Sequence, residues 1–262
     1  MPTETNPFDL HGVTVLLTGA SGYLGQAMAR GLADAGAQLV VSSRDLSQAQ
    51  QIADELSAQT DSPHFATQID HLDNESLEHG FAQAVKLAGQ IDVLIANGHE
   101  PLAADWTTVT PEQFNRQLQN ATGYFMLARL LREHLVARSA EGSIVFLGSM
   151  YGLVGSYPEA YEGVGPASPV AYHVLKGGIV QMTRHLAVYW AGDGIRVNCI
   201  SPGPFPSDKA PAKLIENLTT HSPLKRMGRP EELVGPAVFL ASGAASYVTG
   251  HNLVVDGGWT AW

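Results

Sequence analysis

Short apolar runs alternate with longer helical patterns along almost the whole of this 262-residue chain. Six apolar runs predict strands, at 13–17, 39–41, 91–96, 143–147, 195–200 and 253–255, with a weaker candidate at 64–69. The patterns between them predict helices at 24–35, 46–58, 74–87, 111–137, 171–189 and 230–241. Strands that alternate with helices indicate βαβ crossovers, and strands that are apolar throughout indicate a sheet covered on both faces. We therefore predict a single α/β domain over residues 1–262, a doubly wound, seven-stranded parallel sheet with helices on both faces.

The composition narrows the class of protein. With 45% hydrophobic and 15% charged residues, the chain can bury a large core. Its formal charge of −10, without a Lys/Arg-rich stretch, argues against nucleic acid or membrane as a partner. The single cysteine, Cys199, is expected to be a small core residue, which fits a cytoplasmic protein. Residues 1–11 are interpreted as a polar leader without signal-peptide features, and the ten histidines suggest no ligand cluster, so we expect no metal.

A glycine-rich turn follows the first predicted strand. Residues 18–25 read TGASGYLG and lead directly into a predicted helix. Glycines permit a tight turn and a close approach of the backbone to a pyrophosphate, and the helix N-terminus offers free N–H groups. Such a turn can also be purely structural, but its place after the first strand of a βαβ unit favours a dinucleotide site. The predicted fold is then a Rossmann fold.

Tyr172 and Lys176 stand four residues apart in a predicted helix, and Ser149 follows the predicted strand at 143–147. Positions i and i+4 share a helix face, so the ammonium can lie beside the phenol. A free tyrosine, with a pKa of about 10, is a poor acid-base catalyst at neutral pH, and a nearby positive charge favours its phenolate. An isolated match of this kind is more often a half-buried tyrosine beside a surface lysine, so the pair gains weight only from its context.

Taken in order, these motifs resemble the classical branch of the short-chain dehydrogenase/reductase family over residues 8–262. The resemblance rests on the glycine-rich turn, Asn97, Asn120, Ser149, Tyr172, Lys176, Pro202-Gly203 and a final Asp256-Gly257-Gly258. It implies that Ser149 stabilises charge on the substrate oxygen, Tyr172 exchanges a proton with that oxygen, and Lys176 lowers the pKa of the tyrosine. It also implies that Asn120 supports a water that relays protons outward through Lys176.

The same resemblance implies a set of cofactor contacts. The pyrophosphate would lie against Gly19, Ser21, Tyr23 and Leu24. The adenosine would lie near Asp70, Asn97 and Gly98. The nicotinamide end would lie near Tyr172, Lys176, Ile200, Pro202, Gly203 and Ser207.

The choice of cofactor depends on the end of the second predicted strand. Ser43 and Arg44 stand there, where an acidic side chain would bind the ribose 2′-OH of NAD. A guanidinium instead suits a 2′-phosphate, so NADP(H) is favoured and NAD(H) stays possible. The alternative is that Arg44 pairs with Asp45 or stacks on adenine.

Two segments depart from the family's usual pattern. Tyr23 stands where the classical branch has glycine, so the turn has the spacing of the extended branch, which includes sugar-nucleotide epimerases. The usual Asn-Asn-Ala-Gly tetrapeptide is replaced by Ala96-Asn97-Gly98-His99. This replacement places an imidazole of unassigned role, that of His99, near the site entrance.

The connection from Ser149 to Tyr172 is longer than the family's usual one. Its inserted loop, residues 155–169, is rich in glycine and proline and carries phenols and carboxylates. We predict that this loop contacts a sugar acid or sugar-like substrate and that residues 205–227 form a lid. The predicted substrate contacts are Tyr151, Glu159, Tyr161, Glu162 and Phe205. The alternative for the inserted loop is a solvated segment or a subunit contact.

The sequence thus predicts an NADP(H)-dependent oxidoreductase that interconverts a secondary alcohol and a ketone on a polar small molecule. Its insertion and its WTAW ending are similar to those of gluconate 5-dehydrogenases and sugar-modifying reductases. The alternatives are an epimerase or dehydratase, suggested by the turn spacing, and a non-catalytic dinucleotide-binding regulator, which would need no proton donor. The helix at 111–137 and the catalytic helix resemble the family's subunit interface, which implies a homotetramer.

Overall fold

The computed structural model describes residues 6–102 and 104–262. In this part of the chain, seven strands form one sheet in the order β3-β2-β1-β4-β5-β6-β7, and every neighbouring pair is parallel. The strands are β1 (Thr14–Leu17), β2 (Gln38–Ser43), β3 (Phe65–Gln68), β4 (Val93–Ala96), β5 (Gly142–Leu147), β6 (Ile195–Pro202) and β7 (Asn252–Val255). The predicted doubly wound Rossmann sheet is confirmed, and the weak candidate at 64–69 is the edge strand β3.

Helices follow the strands as the pattern predicts. They are α1 (Tyr23–Asp34), α2 (Leu46–Gln59), α3 (Asn74–Ala88), α4 (Pro111–Ala137), α5 (Pro158–Tyr161), α6 (Val170–Trp190), α7 (Ala212–His221) and α8 (Val234–Ala241). The long helix α4 begins with a capping box, because Thr110 accepts from the Gln113 N–H and the Gln113 side chain accepts in return. The N-terminal N–H groups of this helix are thereby partly satisfied.

The predicted helix at 230–241 is partly wrong. Residues Pro230–Leu233 form a 3₁₀ turn, and the α-helix begins only at Val234. Pro236 explains the break, since it has no N–H to donate to the carbonyl four residues back, and its ring clashes there. In the first turn of α8 the missing N–H costs nothing, so the helix restarts with Pro236 inside it.

Two apolar layers flank the sheet. Strand residues alternate between them, so that Val15 and Leu17 belong to the layer with α1, α2 and α8, whereas Leu16 belongs to the layer with α3, α4 and α6. Such alternation arises because successive side chains of a strand point to opposite faces. Cys199 is fully buried in the second layer, as expected.

The predicted polar leader at 1–11 is wrong for its last part. Leu10 is fully buried in the first layer, and its N–H donates to Ala35 O at the end of α1. Burial of this one leucine contributes about 2 kcal/mol toward holding the segment against the core. Residues 1–5 lie outside the described residues. Across the described chain, no helix combines the length and apolar composition needed to cross a membrane.

The sheet positions the site at its carboxyl edge. The strand order reverses between β1 and β4, and ligands of doubly wound sheets bind in the crevice outside the strand ends at this point. Two segments beyond the sheet border the crevice. The inserted loop at 155–169 contains the helical turn α5, and the predicted lid at 205–227 contains α7, so both are more structured than a loop pattern suggests.

Candidate active site

Ser149, Tyr172 and Lys176 come from two neighbouring elements. Ser149 follows β5 after Gly148 and caps a 3₁₀ turn, where its Oγ accepts from the Tyr151 N–H at 3.2 Å. Tyr172 and Lys176 lie in the first two turns of α6, with the Lys176 Nζ 5.6 Å from the centre of the phenol ring. The i, i+4 spacing therefore places the ammonium beside the phenol, as expected.

Burial shifts the pKa values of both Tyr172 and Lys176. It raises the pKa of the Tyr172 phenol, and the Ser149 hydroxyl, as a hydrogen-bond partner, lowers that pKa only in part. It also lowers the pKa of Lys176 from 10.5 to about 8. Low-dielectric surroundings disfavour the charged form of each group. Lys176 is not among the causes of the shift at Tyr172, so its expected lowering of the phenol's pKa stays a prediction.

Lys176 is anchored to the sheet. Its side chain is 4% exposed, and its Nζ donates to the Leu147 carbonyl oxygen at 2.7 Å. The Nζ also lies 5.9 Å from the ring centre of the buried Tyr124 on α4. An ammonium held over aromatic faces is stabilised by their quadrupoles, which offsets part of its desolvation.

The side chain of Asn120 is buried in α4 and accepts two hydrogen bonds. Its Oδ1 accepts from His71 Nε2 at 2.6 Å and from the Glu100 N–H at 2.9 Å. The sequence did not single out His71. Only the fold brings residue 71, after β3, next to residue 120, so no local pattern signals this pair.

The glycine-rich turn needs glycine for close packing. Gly19 has a φ of 63°, and a Cβ there would lie 2.7 Å from the Gly98 Cα. Asn97 fixes the two segments together, since its Nδ2 donates to the carbonyl oxygens of Thr18 and Gly19 at 3.2 and 3.0 Å. The Gly22 N-cap of α1 has no side-chain hydrogen bond, so the first N–H groups of α1 are left for an anion.

The turn borders a cavity of about 670 Å³. The predicted cofactor residues that line it are Gly19, Ser21, Tyr23, Leu24, Ser43, Arg44, Asn97, Gly98 and Ser207, together with the predicted substrate residue Phe205. The cavity is bordered by a closely packed glycine-rich turn, by the uncapped N-terminus of α1 and by the guanidinium of Arg44. These features fit the phosphates of a dinucleotide.

Six predicted cofactor residues do not line this cavity, although Ile69 and His71 on either side of Asp70 do. They are Asp70, Tyr172, Lys176, Ile200, Pro202 and Gly203. Asp70 instead accepts from the Leu72 N–H, in the turn before α3. Close packing requires glycine at position 203, because a Cβ there would lie 2.6 Å from the Asp256 Cα.

Arg44 pairs with Glu100 and not with Asp45. Its Nη1 donates to Glu100 Oε2 at 3.1 Å, and Arg116 Nη2 donates to the same carboxylate at 3.0 Å. The pairing with Asp45 is wrong, because that carboxylate caps α2 by accepting from the Ser47 N–H. The two guanidinium groups hold the pKa of Glu100 below its usual range. Glu100, which the sequence did not single out, thus fixes Arg44 at the rim of the cavity.

His99 lies deeper in the site than the predicted entrance position. Its ring centre is 5.3 Å from that of Tyr172, in an edge-to-face arrangement. Its Nε2 lies 2.8 Å from the side-chain nitrogen of Gln117 on α4. Burial, with the charges of Lys176 and His71, lowers the pKa of His99 to about 3. The imidazole is therefore neutral at any working pH.

In the inserted loop, the Tyr161 phenol lies near the site, whereas the Glu159 carboxylate does not. The hydroxyl groups of Tyr151 and Tyr161 lie 2.8 Å apart, and burial raises the pKa of Tyr151 above its usual range. The Glu159 carboxylate instead lies 3.8 Å from His221 Nε2 on α7, and its side chain is 59% exposed. Glu162 is exposed as well, which favours the solvated alternative for its carboxylate.

Three aromatic side chains, those of Tyr157, His221 and Trp259, connect the inserted loop to the lid. We call this cluster the aromatic latch. The rings of Tyr157 and His221 stack with centres 4.0 Å apart and planes 6° apart, and Trp259 packs against both. A hydrogen bond from Asn217 Nδ2 to the Ala160 carbonyl oxygen reinforces the joint at 3.1 Å. The sequence did not reveal this joint, because its three aromatic members are distant along the chain.

Within residues 6–102 and 104–262, no group of three or more His, Cys, Asp or Glu side chains is arranged to hold a metal ion. The groups described at the site are a hydroxyl, a phenol, a buried amine and a neutral imidazole. These groups suit the transfer of a proton to or from an oxygen atom.

Known proteins resemble this chain over almost its entire length. A family model described as enoyl-(acyl carrier protein) reductase matches residues 19–260. A galactitol 2-dehydrogenase (L-tagatose-forming) of Cereibacter sphaeroides is 35% identical over 97% of this chain and 98% of its own. A short-chain type dehydrogenase/reductase from Mycobacterium marinum has a TM-score of 0.87 at 32% identity, covering 97% of both chains. A gluconate 5-dehydrogenase from Burkholderia cenocepacia, solved with NADP and tartrate, has a TM-score of 0.88 at 27% identity, covering 98% of both chains.

Proposed function

Because the chain belongs to the short-chain dehydrogenase/reductase family and is an oxidoreductase acting on CH–OH groups, we propose that it is an NADP(H)-dependent dehydrogenase of a polyol, sugar or sugar acid. It interconverts a secondary alcohol and a ketone. The observation that carries the proposal is the meeting of Ser149, Tyr172 and Lys176 beside a cavity lined by the glycine-rich turn.

The proposed chemistry divides between cofactor and protein. The bound nicotinamide supplies or accepts the hydride. Ser149 donates a hydrogen bond to the substrate oxygen and stabilises the charge that develops there. Tyr172, whose raised pKa keeps it protonated near neutral pH, gives its proton to that oxygen when a ketone is reduced. In the direction of oxidation the same phenolic oxygen takes the proton back.

Lys176 and Asn120 support this exchange in the proposal. The Lys176 ammonium holds the nicotinamide ribose and offers a positive charge 5.6 Å from the phenol ring centre. Asn120 supports a water that passes protons onward through Lys176. Its side chain is held by His71 and Glu100, so α4 is fixed at this point.

Arg44 supports NADP(H) as the cofactor. The end of β2 carries Ser43, whose hydroxyl lies 3.0 Å from that of Ser21, and therefore no carboxylate that would repel a 2′-phosphate. The guanidinium of Arg44 lines the cavity and is held in place by Glu100. The similar gluconate 5-dehydrogenase, solved with NADP, agrees with this choice.

The substrate class follows from the polar groups of the site and from the relatives. The Tyr151 and Tyr161 hydroxyl groups offer hydrogen bonds near Tyr172, which suits a molecule with several hydroxyl groups. The galactitol dehydrogenase acts on such a polyol by its name, whereas the matching family model is described for an enoyl substrate. The 35% identity over nearly whole chains favours the polyol.

A substrate screen tests the proposal. Polyols, sugars and sugar acids would be offered with NADP, and the matching ketones with NADPH, while the NADPH absorbance is followed. We expect turnover of at least one polyhydroxylated compound and none of an enoyl thioester. Turnover of the enoyl thioester alone would contradict the proposed function, and epimerised product without net change in NADPH would favour the epimerase alternative.

A homotetramer and a cytoplasmic location remain part of the proposal. Exposed valines on α4 and α6, among them Val136 and Val174, are 44% and 47% exposed and offer an apolar surface to other subunits. These helices carry the buried side chains of Asn120 and Lys176 on their inner faces.

A further inference from the structure

The catalytic phenol has a neighbour with no assigned role. His99 stands after β4, and its ring edge contacts the ring of Tyr172 with centres 5.3 Å apart and planes at 63°. The same imidazole lines the cavity that the glycine-rich turn borders. A side chain in this position lies beside both the proton donor and the space open to ligands.

The hydrogen bond to Gln117 fixes the tautomer of His99. The side-chain nitrogen of Gln117, 2.8 Å from Nε2, is a donor and cannot accept. With the Gln117 amide in this orientation, Nε2 accepts, and the single proton of the neutral imidazole then lies on Nδ1. Gln117 is 3% exposed on α4, which has Asn120 one turn further along, so the donor is held rigidly.

A ligand that fills the cavity beside His99 would take the Nδ1–H group out of water, and this donor would then need an acceptor. An N–H donor withdrawn from water without a partner costs about 1–3 kcal/mol. Because the imidazole carries no charge, it favours a neutral hydroxyl oxygen over a carboxylate, which would be drawn to Lys176 instead. In a polyol or ketose, such a hydroxyl oxygen is found on the carbon next to the reacting one.

We propose that His99, with its tautomer set by Gln117, donates a hydrogen bond from Nδ1 to the hydroxyl group on the carbon adjacent to the carbon that is oxidised or reduced. His99 thereby selects vicinal diols and α-hydroxy ketones over simple alcohols and ketones. Gln117 is a positioning residue that acts through His99. The inference rests on the proposed function, because it takes Ser149 and Tyr172 as the groups that hold the reacting oxygen.

Two substitutions of His99 separate the hydrogen bond from the packing. His99→Leu keeps an apolar contact with the Tyr172 ring but removes the donor. His99→Asn places a side-chain N–H near the original Nδ1 position. His79→Leu, on the exposed face of α3, is the matched control. Each variant would be assayed with a vicinal diol and with a simple secondary alcohol, and its dissociation constant for NADPH would be measured by fluorescence.

We expect His99→Leu to lower kcat/KM for the diol about tenfold or more, mainly through KM, and to lower it for the simple alcohol far less. His99→Asn should recover most of the loss, and His79→Leu should match the wild type. Gln117→Glu, which exchanges the donor for an acceptor and moves the imidazole proton to Nε2, should lose about as much as His99→Leu for the diol.

Other outcomes overturn the inference. Equal losses for diol and simple alcohol, or a weakened NADPH affinity that accounts for the loss, would show that His99 serves the cofactor or the packing of Tyr172. Failure of the proposed function is visible separately, because the wild type would then turn over neither class of alcohol. A wild-type preference for the simple alcohol would also refute the role given to His99.

Discussion

Lys176 is the residue at which burial most opposes the charge that the proposed function requires. Its amine is buried with a pKa of about 8, against 10.5 in a free lysine. In the unfolded chain the amine keeps its proton up to about pH 10.5, so the unfolded state binds more protons between these two values. Stability contributed by this group therefore rises with pH from about 8 to about 10.5.

This conflict makes a testable difference between the wild type and Lys176→Met. Between about pH 7 and about pH 9.5, the wild type should gain about 2 kcal/mol of unfolding free energy relative to the variant. Urea unfolding of both proteins at the two pH values measures the difference, and the other titrating groups cancel in the comparison. A constant difference would mean that Lys176 titrates as it does in water.

Arg44 determines the cofactor preference in our account. Arg44→Ala should lower kcat/KM with NADPH about 10- to 100-fold, because a charge-assisted bond to the 2′-phosphate is lost, and should change kcat/KM with NADH about threefold at most. Arg184→Ala, an exposed arginine on α6, is the control. If the wild type itself preferred NADH, the role given to Arg44 would be wrong.

Single residues differ in how far the sequence could reveal them. The sequence could single out Ser149, Tyr172 and Lys176 because their proposed roles depend on position relative to one strand end and one helix. The His71–Asn120 bond and the bridge from Glu100 to Arg44 join residues far apart in the chain. No local pattern encodes such pairs, and the same holds for the contact of His99 with Tyr172.

At the scale of elements, the aromatic latch couples the inserted loop to the lid. Tyr157→Leu or His221→Leu should raise KM for the substrate about three- to tenfold with little change in NADPH affinity, because a stacked pair contributes about 0.5–1.5 kcal/mol beyond its burial. Steady-state kinetics check this, with the fully exposed Tyr247→Leu as control.

A double-mutant cycle makes the latch prediction sharper. The stacked pair should show a coupling of about 1 kcal/mol between Tyr157 and His221 in kcat/KM. Additive losses would mean that the loop and the lid act on the substrate independently, and the latch would then be packing alone.

Element boundaries were predicted best where the pattern was continuous. The strands β1, β4, β5 and β6 lie within a few residues of their apolar runs. The inserted loop and the lid were predicted only as irregular, because α5 is a single turn whose stability comes from packing on α7. The 3₁₀ turn before α8 was missed because the apolar pattern continues through Pro236.

For the whole molecule, the alternation of strands and helices was sufficient to predict the parallel sheet. The strand order places the cavity at the β1/β4 reversal, a consequence of topology rather than of any one motif. Assembly is not encoded in that alternation. The proposed assembly would depend on side chains such as Val174, which is an exposed apolar residue of α6.

The proposed homotetramer can be tested at Val174. Val174→Asp places a charge on the exposed face of α6 and should dissociate the assembly, because an uncompensated charge is costly at an apolar interface. Light scattering should give four copies of the 27.9 kDa chain for the wild type and fewer for the variant. Leu46→Asp, an exposed leucine of α2, should leave the mass unchanged. A monomeric wild type would refute the assembly.

The central claim, that Tyr172 transfers the proton between protein and substrate, is tested most directly by Tyr172→Phe. The variant keeps the ring and its contact with His99 but loses the hydroxyl group. We predict that kcat for the polyol falls about 1,000-fold, while NADPH binds within about threefold of its wild-type affinity. Tyr189→Phe, exposed on the same helix, should behave as the wild type. A Tyr172→Phe enzyme that retained more than about a tenth of the wild-type kcat would contradict the account.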